Sequence, residues 1–151
     1  MSTGYVRWAL EVIASGARDA GRDAEGLDIA APLMVSVAID ASAAREAIKP
    51  RLAYYLHRVE KVVHEKSGAD PDTIAAVKNA VLTDGLQAGA AAVTDEIIDT
   101  FAVAGDPDHA VTRFREYADA GIRGLIIQHV PGPERVEGLT LIAREVVPNV
   151  V

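Results

Sequence analysis

The side chains best suited to chemistry here are four histidines, His57, His64, His109 and His129, in a chain without cysteine. The missing thiols exclude disulfides, thiolate metal sites and a cysteine nucleophile. His57 and His64 stand seven positions apart in "HRVEKVVHEK", with Glu60 and Glu65 between and beside them. A helical metal site needs histidines at i and i+4, or a third ligand close by. Neither pattern is present, so the segment reads as a charged, solvated helix face and no metal is expected. No serine–histidine–aspartate order stands out. Gly105 before Asp106 invites comparison with a phosphate loop, but the chain has no G-x-G-x-x-G or Walker pattern. In "VPGPE", two prolines remove two of the N–H donors that an anion would need, which favours an ordinary turn. Trp8 and the Tyr54–Tyr55 pair suit helix packing better than a stacking platform.

Composition bounds the alternatives. The 151 residues, 50% hydrophobic and 25% charged, fit one globular domain, 1–151. A net charge of −7, with basic residues scattered among acidic ones, argues against a nucleic-acid surface. "MSTGYVRWALEVIASG" lacks the basic leader and apolar core of a signal peptide. No run approaches the ~18 apolar residues of a membrane span. A soluble, cytoplasmic protein is expected.

The elements that must position any site follow from periodicity. Ser2 or Thr3 caps a first helix over about 5–20, with Tyr5, Trp8, Ala9, Val12 and Ile13 as its apolar face. "PLMVSVAID" gives a strand over 33–39 with Pro32 at its entrance. Val35, Val37 and Ile39 face one side, and Met34, Ser36 and Ala38 the other. Asp40 caps the next helix, which Pro50 should kink or divide. Its buried stripe is Ile48, Leu52, Tyr55, Val59 and Val62. Asp72 opens a helix reaching roughly residue 87, and Thr94 caps the short "DEIIDTFA". Asp106 and Pro107 start a further helix that Gly121 ends in the left-handed conformation. "IRGLIIQHV" is then a strand over 122–129, and a last helix spans about 138–146. The order is α, β, a long helical insertion, α, β, α.

Two such strands cannot form an independent sheet buried on both faces. "ARDAGRD", "VSVAIDASAAREAIKPRLAYYL", "VTDEIIDTFAVAGDPDHAVTRFREYADAGIRGLII" and "REVVPNV" together resemble the carboxyl-terminal part of luciferase-like, flavin- or F420-dependent oxidoreductases. The nearest resemblance is to their methylenetetrahydromethanopterin-reductase-like branch, and it runs from about Tyr5 to Val150. It implies α/β architecture: the carboxyl-terminal part of a (β/α)₈ TIM barrel, about two βα units plus a helical insertion. Strand 33–39 would then be the seventh and 122–129 the eighth. A full barrel takes roughly 250 residues, so the chain is expected to be an incomplete barrel: a fragment, a split gene product or a deliberate half.

In such a barrel chemistry sits at the carboxyl ends of the strands. Here those ends offer Ser36, Asp40, Gln128 and His129 as candidate pocket-facing residues. Asp40 doubles as a helix cap. His129 would either donate to a substrate or cofactor oxygen or be satisfied by backbone. The Gly105–Asp106 turn, placed before the eighth strand, falls on the opposite, structural face. The resemblance implies coenzyme F420 (or FMN) and hydride transfer to or from a small organic substrate. Most cofactor contacts in that family come from earlier strands, so the chain alone is expected to be inactive. The implied partners are a second copy or a complementary amino-terminal barrel half. The alternative function is a non-enzymatic half-barrel module that dimerises or docks through open sheet edges.

Overall fold

A computed structural model describes residues 1–128 and 132–150 and builds them on a three-stranded parallel sheet. β1 (Ala30–Val37) is central, with β2 (Ala102–Gly105) on one side and β3 (Gly124–Gln128) on the other. Register pairs Val37 with Gly105 across the first ladder, and Ala30 with Gly124 across the second. The central position explains the nearly continuous apolar run of β1, since a parallel strand covered on both faces has no solvent side to alternate toward. Pro32 lies inside β1 rather than at its entrance. It falls on the stretch that β2 does not reach, because that ladder begins at Met34. A missing N–H is tolerated there.

The connections are helical. α1 (Thr3–Asp19) precedes β1, and Ser2 Oγ accepts from Tyr5 N at its start. Between β1 and β2 run α2 (Ala41–Arg58), α3 (Lys61–Glu65), α4 (Pro71–Asp84), α5 (Leu86–Ala91) and α6 (Asp95–Phe101). α7 (Pro107–Asp119) links β2 to β3, capped by Asp106 and ended at Gly121 with φ of 102°. After β3 come α8 (Arg135–Leu141), a π-helical turn (Ile142–Val146) and α9 (Val147–Val150). Pro50 does not divide α2, which runs through it as one helix. Pro50 and Glu46 both lie on its solvent side, so the carbonyl that loses its bond can turn to water.

Each face of the sheet carries its own core. Leu33, Val35, Val37 and Val103 pack against Val6 of α1, Phe114 and Tyr117 of α7, and Ile142 and Val146. Met34, Ala102 and Ala104 pack instead against Ile48, Leu52 and Leu56 of α2 and Ile98 and Phe101 of α6. Helices on opposite faces are what two crossovers of the same hand produce when they run in opposite directions across the sheet, from β1 out to β2 and from β2 back past β1 to β3.

The two outer edges of the sheet differ. Every residue of β2 is buried, and Arg45 of α2 donates to the Ala104 carbonyl (3.4 Å) while bridging Asp95 and Asp99. β3 is half covered: Ile126 is 52% exposed, Gln128 is exposed, and only β1 pairs with it among the described residues. Apolar surface without a partner also occurs on α1 (Val12, Ile13) and α8 (Val136, Leu139). The stripe expected to bury α1 is only partly covered: Tyr5, Trp8 and Ala9 are half-buried, Val12 and Ile13 are exposed, and Val6, outside that stripe, is the buried residue.

Candidate functional site

The carboxyl ends of β1 and β2 lie level, since Val37 and Gly105 are register partners. Each strand hands over at once to a capped helix. Asp40 Oδ1 accepts from Ser42 N (2.9 Å) and Ala43 N (3.3 Å), and Asp106 Oδ1 accepts from His109 N (2.8 Å). The Gly105–Asp106 turn thus sits at a strand's carboxyl end, on the face where α/β sheets bind ligands. The expectation of a purely structural face rested on missing β2 and is corrected here. Gly105 is also sterically fixed: a Cβ there would lie 2.9 Å from His109 Cδ2.

Beyond Val37 a groove of ≈360 Å³ opens between the start of α2 and α8. Ile39, Asp40, Pro133, Glu134 and Glu137 line it. Next to it Gly132 sits tight against β1: a Cβ at that position would approach the Val37 carbonyl to 2.5 Å. Pro133 and Glu134 wall the groove on that side, in a stretch the sequence marks only as a turn.

The three candidates that fall among the described residues do not converge. Ser36 is fully buried and spends its hydroxyl on the Ala44 carbonyl (2.7 Å), tying β1 to the first turn of α2. Asp40 is the α2 cap and lines the groove. Gln128 ends β3 on another side, lining a cavity of ≈70 Å³ with Pro32, Met34, Arg51 and Tyr55. Burial pushes the Tyr55 hydroxyl pKa up to about 12, so it stays protonated and able to donate there. His129 lies outside the described residues. His57 and His64 do not join a metal set: among the described residues no group of three or more histidines and carboxylates could hold a metal ion.

The groove does not suit a phosphate-bearing cofactor such as F420 or FMN. Among the described residues its charged lining is Asp40, Glu134 and Glu137, with no cation. Three carboxylates repel a phosphate, and one turn of helix dipole gains only ~0.3–1 kcal/mol against them. The apolar wall of Ala38 and Ile39 can face a flat ring, but the anionic part of a cofactor needs cations from elsewhere.

Residues 2–124 match the luciferase-like monooxygenase family, and the chain belongs to it. Its architecture is accordingly that of a partial barrel. Among curated relatives, the 5,10-methylenetetrahydromethanopterin reductase of Archaeoglobus fulgidus is 32% identical over 145 residues, 93% of this chain and 44% of the relative. The same enzyme from Methanopyrus kandleri is 29% identical over 93% of this chain and 40% of its own length. The F420-dependent glucose-6-phosphate dehydrogenase of Nocardia farcinica is 28% identical over 96% and 38%. A solved coenzyme F420 dependent tetrahydromethanopterin reductase from Methanopyrus kandleri superposes with a TM-score of 0.88 at 27% identity, over 99% of this chain and 43% of that one. The chain spans about two fifths of the length of the relatives it matches. No helix among the described residues is long and apolar enough to cross a membrane.

Proposed function

We propose that this chain forms one wall of the catalytic pocket of an F420-dependent oxidoreductase, at the carboxyl ends of β1 and β2. The observation that carries the reading is similarity over nearly the whole chain to reductases and dehydrogenases named for that chemistry. A bound deazaflavin supplies hydride transfer to or from a small organic substrate; FMN is the second choice. This chain's own contribution is passive. Ala38 and Ile39 offer an apolar wall, Asp40 and Asp106 fix the helix starts around it, and Gly132 brings the α8 loop against β1. The acidic groove holds no phosphate, so the anionic part of the cofactor is bound by the remainder of the barrel, on this polypeptide or another. The chain without that remainder is inactive.

The remainder docks where this chain is bare: the β3 edge and the apolar surfaces of α1 and α8. Those surfaces also support a second reading, a half-barrel module that binds a second copy or another protein without chemistry. Both readings fit a cytoplasmic protein. An activity assay separates them. The chain is mixed with the amino-terminal part of the Archaeoglobus reductase, and F420 oxidation is followed with each relative's named substrate. Turnover that needs both parts supports the enzyme. A stable complex that neither binds F420 nor turns over substrate supports the module.

A further inference from the structure

The shortest helix between β1 and β2 is held to its neighbour by little. Val63 is the buried residue of the five-residue α3, and it packs in one cluster with Ala69 and with Ile74 and Val77 of α4. Beside that contact α3 and α4 leave a recess of ≈600 Å³, lined by Lys61, His64 and Glu65 on one side and Lys78 and Leu82 on the other. An element seated by so few apolar contacts opens at a fraction of the cost of global unfolding.

His64 is the weak point of that seat. Its Nε2 is buried and has no hydrogen-bond partner among the described residues. In the imidazolium both ring nitrogens carry hydrogen, so Nε2 becomes a buried donor without an acceptor, whichever nitrogen holds the proton in the neutral ring. The charged groups on the same lining do not help. Lys78 of α4 repels the added charge, and the Glu65 carboxylate of α3 is taken by Lys61 at 3.1 Å. Burial first, and then Lys78, lower the imidazole pKa from 6.5, and the Leu56 carbonyl of α2 opposes them only in part. The proton therefore binds more tightly once α3 has lifted, so falling pH favours the open form from about 6.5 downward.

The far end of α3 touches α1. Its C-cap, Lys66, places Nζ 5.8 Å from the centroid of the Trp8 ring. The first turn of α1 abuts the same segment, since a Cβ at Gly4 would lie 2.8 Å from the Lys66 carbonyl oxygen. Movement of α3 thus changes the surroundings of the chain's single tryptophan.

We propose that α3 is an acid-released strap: proton uptake by His64 lifts it off α4 and uncovers Val63 and Ile74 while the rest of the fold stays in place.

Amide hydrogen exchange of the full chain from about pH 7.5 to about 5, above the ordinary carboxylate range, tests this. The Lys66 and Ser67 amides donate to the Val62 and His64 carbonyls. Their protection factors, corrected for the intrinsic effect of pH, should fall about fivefold, the low end for one unmade buried hydrogen bond. The low end applies because the His64 side chain as a whole is only half-buried. Trp8 emission should change over the same range, while protection in β1 and the circular dichroism hold. His64→Gln should remove both responses and Lys78→Met should blunt them, whereas His57→Gln on α2 should change neither. Unchanged protection at Lys66 and Ser67, an equal loss in β1, or a response that survives His64→Gln or vanishes with His57→Gln would overturn the proposal.

Discussion

Replacing Arg45 with methionine keeps an apolar stem of similar length and removes the group that ties α2, α6 and β2 together. The guanidinium donates to Asp95 (2.9 Å), Asp99 (2.7 Å), the Asp95 carbonyl (3.2 Å) and the Ala104 carbonyl (3.4 Å). Asp99, by its hydrogen bond, is the main influence raising the guanidinium pKa. The two carboxylates are 79% and 50% exposed and stay hydrated once freed, so each pair is worth about 0.5–1 kcal/mol. Ala104, by contrast, is 1% exposed, and its carbonyl loses an outward donor at a cost of about 1 kcal/mol. The expected total is about 2–3 kcal/mol, or roughly 4–12 °C in Tm for a domain of this size.

Urea unfolding followed by circular dichroism measures it. Arg45→Lys should recover only part of the loss, because one ammonium cannot span two carboxylates and a strand carbonyl. Amide exchange in β2 should accelerate in both variants. A loss below about 0.5 kcal/mol, the level of an ordinary surface site, or full rescue by lysine would refute the claim that Arg45 seals the β2 side of the sheet.

Ser36→Ala should cost about 1 kcal/mol through the lost bond to Ala44, with no effect on ligand binding; denaturant titration and F420 titration of an assembled barrel check the two halves. The His64 pKa is held below its ordinary 6.5, so the unfolded chain binds the extra proton and stability should fall as pH drops from 6.5 through the folded-state value. His64→Gln should flatten that slope in melts across the acid range; an unchanged slope assigns it to other groups. Gly132→Ala should shift the loop at the start of α8, through the 2.5 Å approach to Val37 O, at a cost of about 1–3 kcal/mol in denaturant titration. Ile126→Lys, on the open edge of β3, should abolish assembly measured by light scattering while barely changing the helical signal in circular dichroism.

Much of this fold is written locally. Ser2, Asp40, Thr94, Asp106 and Gly121 mark helix ends through their own side chains or backbone, and each does so in the structure. Elements set by tertiary context are harder to read. β2 is four residues, "AVAG", joined directly to α6 without a breaker; only pairing with β1 makes it a strand. Its omission displaced the Gly105–Asp106 turn to the wrong end of the sheet. The apolar face of α1 is legible as periodicity, but periodicity does not say that the neighbour is absent. At the candidate groove, Asp40 is readable from its strand end. Glu134 and Glu137 are not, because their place depends on how Gly132 seats against β1. Ser36 shows the limit of strand alternation: its face is predicted, while its use as a tether to Ala44 depends on the approach of α2.

The central claim is that this chain is an incomplete luciferase-like barrel whose cofactor site needs the rest of the fold. Titrating F420 into the isolated chain, and into the chain mixed with the amino-terminal part of the Archaeoglobus reductase, tests it by deazaflavin fluorescence. The account predicts negligible binding by the chain alone and saturable binding once the two parts are combined. Sub-micromolar binding by the chain alone would contradict it, because the cofactor pocket would then lie within these strands and helices.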